Sequence, residues 1–100
     1  NFAVQAIGFH DNITITNSKL YGIKALRECA DIVIDNTNII SPEFGWFNNN
    51  IKVTNSSAES EYFMMKTSNL EFNNLTLKGK YSFQYIENAT FINCRCNREW

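Results

Sequence analysis

Apolar and polar residues alternate along this chain in short runs, and the runs return at a fixed interval of 19 residues. Blocks opening at Asn12, Asp31, Asn50, Asn69 and Asn88 begin NITITNSKL, DIVIDNTNI, NIKVTNSSA, NLEFNNLTL and NATFINCRC, with no insertion or deletion between them. The second column (Ile13, Ile32, Ile51, Leu70, Ala89) and the fourth (Ile15, Ile34, Val53, Phe72, Phe91) flank a more polar position. That period of two predicts a strand with one buried face. The sixth column is Asn17, Asn36, Asn55, Asn74 and Asn93, and an amide meeting the alternation in every block predicts a turn. A second strand follows, with Ser18, Thr37, Ser56, Leu75 and Cys94, then Leu20, Ile39, Ala58, Leu77 and Cys96, facing inward. The rest of each block is less regular. Leu26, Gly45, Met64 and Phe83 are expected on the inward side of a third strand, and Cys29, Asn48, Thr67 and Ile86 turn inward at the next corner.

Strands this short cannot form independent sheets, but stacking block on block gives each a parallel partner about 4.8 Å away. The expected fold is therefore all-β: a single-stranded parallel β-helix with about five rungs of 19 residues in one domain, 1–100. The rungs are 12–30, 31–49, 50–68, 69–87 and an incomplete 88–100. Helical repeats need longer units, and β-branched residues beside asparagine oppose helix. Leucine-rich repeats would show a leucine-dense consensus that is absent. The sixth-column asparagines are expected to form an internal ladder, each amide bonding its neighbours above and below and satisfying inward backbone groups. The last block stops inside a rung, which predicts either a fragment of a longer protein or self-association through exposed terminal rungs.

With the repeat in place, the chain resembles the right-handed parallel β-helix class best known from pectate lyases and other polysaccharide-processing enzymes. GIKALREC, SPEFGWF and LKGKYSFQYIEN are similar to segments of a bacterial family of uncharacterised β-helix proteins in that pectate-lyase-like superfamily. The resemblance spans almost the whole chain and implies right-handed winding, three short strands per turn and saccharide recognition on an outer face.

Composition narrows the function. Nine basic and ten acidic residues give a net charge of −1 with no cationic run, so nucleic acid is not an expected partner. No 18-residue apolar stretch or signal-peptide layout occurs, so no membrane partner is expected. Cys29, Cys94 and Cys96 cannot all pair within one chain, and small core residues in a reducing, cytoplasmic setting are the expectation. His10 is remote from them, so no metal site and no cofactor are expected.

Catalytic groups are sparse. Asp11, Asp31 and Asp35 are the only aspartates, and turn hydrogen bonding accounts for the latter two. Arg27 and Glu28 adjoin, with Lys66 two rungs from Glu28, but about 9.6 Å is too long a separation for joint action on one atom. No nucleophile elbow is present, and Gly79-Lys80 lacks a phosphate-loop framework. The glycosylation patterns at Asn12, Asn55, Asn74 and Asn88 arise from the repeat, and Asn55 and Asn74 are expected inside, where a glycan cannot fit.

A non-catalytic repeat module recognising saccharide is the leading expectation. Its candidate site is the third-strand surface: Arg27, Glu28, Trp46, Lys66, Gln84 and Tyr85, with Trp46 as stacking anchor. About half of Phe44, Trp46, Phe47, Phe63, Tyr81 and Tyr85 are expected in the core, where aromatics contribute large apolar area. Presenting Trp46 and Tyr85 on one face requires a local bulge or corner, because adjacent strand positions point opposite ways. The alternatives are a polysaccharide lyase or hydrolase whose active residues lie partly outside this segment, and a structural assembly module. This segment itself is not expected to act as an enzyme.

Overall fold

The computed structural model describes residues 2–3, 11–21 and 24–98; His10, Trp100 and the side chain of Leu26 lie outside what is described. The strands are β1 (Phe2–Ala3), β2 (Asp11–Thr16), β3 (Lys19–Tyr21), β4 (Lys24–Arg27), β5 (Ala30–Asp35), β6 (Asn38–Ile40), β7 (Glu43–Trp46), β8 (Asn49–Phe63), β9 (Ser68–Ser82), β10 (Glu87–Ile92) and β11 (Arg95–Arg98). All pair in parallel. Ile13 lies beside Ile32, Ile32 beside Ile51, Ile51 beside Leu70, and Leu70 beside Ala89, so the repeat read from sequence is the hydrogen-bonding register. The path is a right-handed parallel β-helix of about 4–5 rungs, each of about 19 residues.

Columns two and four fill the core. Ile32, Ile34, Ile51, Val53, Leu70 and Phe72 are almost wholly buried, each on its counterpart one rung away. Full burial of such side chains contributes about 1.5–3 kcal/mol apiece. The third strand departs from the expected pattern: Phe44 and Phe63 are its inward residues, fully buried and stacked at 5.7 Å. Gly45 and Met64 are buried as well, and Phe83 packs against the core half-exposed. Two successive positions face inward because Gly45, Met64 and Phe83 take left-handed backbone, at φ of 75, 55 and 58°. Cys29, Asn48 and Thr67 are buried at the following corner, as expected.

The asparagine ladder exists, but it is external. Asn17, Asn36, Asn55, Asn74 and Asn93 are all exposed, at φ between 49 and 60°. Asparagine tolerates this left-handed region better than other chiral residues, and the conformation breaks the alternation so that column six turns outward. The amides bond along the outside: Asn36 Nδ2 donates to Asn17 Oδ1 at 2.6 Å and Asn74 Nδ2 to Asn55 Oδ1 at 3.0 Å. Asn55 Nδ2 donates to Asp35 Oδ1 at 3.2 Å instead of Asn36. Steric exclusion of a glycan from Asn55 and Asn74 therefore does not hold; their amide nitrogens are instead engaged, that of Asn55 by Asp35 and that of Asn74 by Asn55.

The inward task falls to the next residue. Thr37 and Ser56, both buried, donate their hydroxyls to the carbonyls of Asp35 and Thr54 at 2.9 and 2.8 Å, and Ser56 Oγ accepts from Thr37 N at 3.1 Å. Thiols occupy the same slot, with Cys94 Sγ directed to Ile92 O at 3.3 Å and Cys29 Sγ to Arg27 O at 3.4 Å. Buried Asn48 supplies the inner amide, accepting from Cys29 N at 2.8 Å. No buried side-chain polar atom among the described residues lacks a partner, as interiors require.

Candidate functional site

Each rung has three outer corners at which an exposed residue takes positive φ. Asn12, Asp31, Asn50, Asn69 and Asn88 form one and the column-six asparagines another. The first also carries an outer ladder, Asn50 Nδ2 donating to Asp31 Oδ1 at 2.7 Å and Asn88 Nδ2 to Asn69 Oδ1 at 3.1 Å. Asparagine in four of its five positions, with Asp31 in the other, marked this column in the sequence. At the third corner the left-handed residues are Glu28, Phe47, Lys66 and Tyr85, at φ of 56, 58, 53 and 59°.

That corner brings the sequence-predicted residues onto one ridge. The left-handed turn keeps Glu28, Lys66 and Tyr85 outside beside Arg27, Trp46 and Gln84, which meets the requirement for a corner. Arg27 and Lys66 each hold a cation 5.3 Å from the centre of the Phe47 ring, and Lys66 also lies 6.0 Å from the Tyr85 ring. Arg27 Nε is 3.6 Å from Glu28 Oε1, an exposed ion pair that contributes at most about 1 kcal/mol. Trp46 is half-buried: its indole Nε1 donates to Tyr62 O at 3.1 Å, and its ring meets Phe47 and Tyr62 edge-on. Tyr85, by contrast, is 76% exposed. Gln84 is exposed next to it.

Sequence reasoning did not find the tyrosine pair beside this ridge. Tyr62 and Tyr81 stack at 5.0 Å on the outer side of the third strand, and Lys80 lies 5.7 Å from the Tyr81 ring. Their identity one rung apart was the available signal.

Two titratable groups away from the ridge are shifted by their surroundings. Hydrogen bonds from Thr54 and then Asn55 hold the Asp35 carboxyl below its ordinary value, against a small opposing effect of burial. Burial, then neighbouring Cys94, pushes the Cys96 thiol up. Among the described residues no group of three or more His, Cys, Asp or Glu could hold a metal ion, and no helix is long and apolar enough to cross a membrane. The described chain is a structural repeat module held by outer amide ladders and an inner hydroxyl line.

No curated protein and no solved structure matches the chain. A family model described as "Protein of unknown function (DUF3737)" matches residues 1–99, and the chain belongs to that family.

Proposed function

We propose that the chain is a non-catalytic binding module whose third corner recognises a saccharide. One observation carries this reading: the third corner holds Glu28, Phe47, Lys66 and Tyr85 in left-handed backbone, where the other two corners use asparagine or aspartate almost throughout. A chiral residue other than Asn or Asp spends about 1–2 kcal/mol to stand there. Strain kept at an outer position, where the core gains nothing, indicates that the side chain serves at the surface.

The groups suit a sugar. Tyr85 offers an open ring for stacking on a pyranose face, while Gln84, Lys66 and Glu28 offer donors and acceptors for hydroxyls. Trp46 serves as a wall of the site, since its indole nitrogen is already engaged by Tyr62. Kinship with pectate-lyase-like proteins of bacteria belongs to the same proposal and rests on the resemblance of the quoted segments. A reducing, cytoplasmic setting is proposed with it, because Cys29, Cys94 and Cys96 carry thiols rather than disulfides.

Glycan-array screening of the intact protein, followed by titration of the strongest hit, tests the reading. Tyr85→Ala should weaken binding at least about tenfold, the loss of one good stacking contact, and Trp46→Ala less so. Circular dichroism checks that both variants fold. An array without specific binding overturns the proposal.

A further inference from the structure

The two cations of the third corner are not equivalent. Arg27 is neutralised locally, its Nε 3.6 Å from Glu28 Oε1, much as Lys52 Nζ on the first strand lies 3.4 Å from Glu71 Oε2. Lys66 has no carboxylate partner among the described residues. Rings hold it instead. Phe47 stands one rung before it and Tyr85 one rung after it, with Nζ 5.3 and 6.0 Å from their centres. A ring face attracts an ammonium through its quadrupole but leaves the charge unneutralised and the N–H donors open to an acceptor.

The backbone fixes this arrangement. Lys66 takes φ of 53° and its backbone N–H donates to Gln84 O at 2.9 Å, while that of Phe47 donates to Met65 O at 3.0 Å. Each of these corner residues is thereby tied to the next rung. Tyr85 remains 76% exposed, so a pyranose can lie on its ring within reach of the ammonium. Charge decides which substituent of that sugar Lys66 reads. In water an exposed ammonium favours one opposite unit charge in contact by a factor of about five. A phosphate monoester carries nearly twice that charge near neutral pH, which raises the factor to about 20. A carboxylate or a sulfate ester stays near about five. Lysine also presents a point charge rather than the planar fork that matches a carboxylate, and the one guanidinium of the ridge is already committed to Glu28.

We infer that the third corner takes a phosphorylated saccharide, a pyranose on the Tyr85 ring with its phosphate monoester at the Lys66 ammonium. The inference rests on the saccharide reading and makes Lys66 the specificity-determining residue of that site. Tyr85 supplies the stacking that any sugar shares, and Lys66 separates one sugar from another by charge.

The probes are common hexoses, each offered to the intact protein at low ionic strength as the neutral sugar, the uronate, the sulfate ester and the phosphate monoester. The phosphorylated form should bind about 20-fold more tightly than the neutral one, and the uronate and sulfate about fivefold. Lys66→Gln should bring all forms to within about twofold of the neutral sugar, whose own affinity stays unchanged, while Lys66→Arg keeps the order. Tyr85→Ala should weaken every form by a common factor. Competition by the free hexose phosphate against a phosphorylated glycan shows which of the two sources supplies the group. Equal binding of the forms overturns this inference and leaves the saccharide reading standing, as does a preference for uronate or sulfate over phosphate. Binding of no form overturns both. Because the forms are compared on the unaltered protein, these outcomes do not depend on a variant folding.

Discussion

Asn74 donates through Nδ2 to Asn55 Oδ1 at 3.0 Å while both residues hold left-handed backbone, at φ of 60 and 49°. One side chain therefore does two jobs: it makes the corner cheap and ties it to the next rung. Both are exposed, so replacing Asn55 strands no buried polar atom. Asn55→Ala should still cost about 1–2 kcal/mol, mainly from placing alanine in the left-handed region. Asn55→Gly restores the backbone freedom and loses only the ladder bonds, so it should cost less. Urea denaturation of the two variants separates the contributions; equal midpoints for both and wild type would count against this account.

Asp35 ties two rungs together by accepting from Thr54 Oγ1 and Asn55 Nδ2. These bonds favour the ionised carboxyl and lower its pKa from the ordinary 3.8. A folded pKa below the unfolded one contributes stability above the unfolded value and loses it as pH falls through the folded value. The protein should accordingly lose stability below pH 3.8 more steeply than Asp35→Asn does. An NMR titration gives the direct check, with a midpoint under 3.8 that rises in Thr54→Val.

The repeat was legible because register and core column coincide: Ile13, Ile32, Ile51 and Leu70 are successive both in the alignment and in the sheet. Alternation misled wherever the backbone turned left-handed. Extending the inward set from columns two and four places Asn55 inside, whereas φ of 49° puts it outside and sends Ser56 inward. The same effect hid Phe44 and Phe63, since Gly45 and Met64 share the interior with them. The ridge residues Arg27, Trp46, Lys66 and Tyr85 could be named from the stacking of columns. The pinning of Trp46 by the Tyr62 carbonyl could not, because it joins positions 16 apart rather than a full repeat.

Gly45 has φ of 75°, and a Cβ placed on it would lie 2.4 Å from Met64 Sδ. Gly45→Ala should destabilise by about 1–3 kcal/mol through backbone strain and overpacking together. Met64 is fully buried, so Met64→Ala alone should cost about 2–5 kcal/mol. In that background the Gly45→Ala penalty should shrink to its backbone part, because the clashing thioether is gone. A double-mutant cycle reads the difference, and strict additivity would show that Met64 swings aside without cost.

The third corner offers the sharpest contrast between stability and use. Tyr85 is 76% exposed at φ of 59°, and the Lys66 ammonium lies 6.0 Å from its ring. Asparagine relieves most of the left-handed cost, so Tyr85→Asn should raise stability by about 0.5–1 kcal/mol. Phe47→Asn should gain less, since the Phe47 ring is the shared partner of Arg27 and Lys66, and exposed cation–π contacts contribute about 0.5–1 kcal/mol each. Denaturation midpoints of the two variants, measured beside their saccharide affinities, test the trade directly. A Tyr85→Asn protein that is more stable and no longer binds the glycan fits a ring held against strain for recognition. One that is less stable than wild type would mean that the tyrosine stands at the corner to hold the rung.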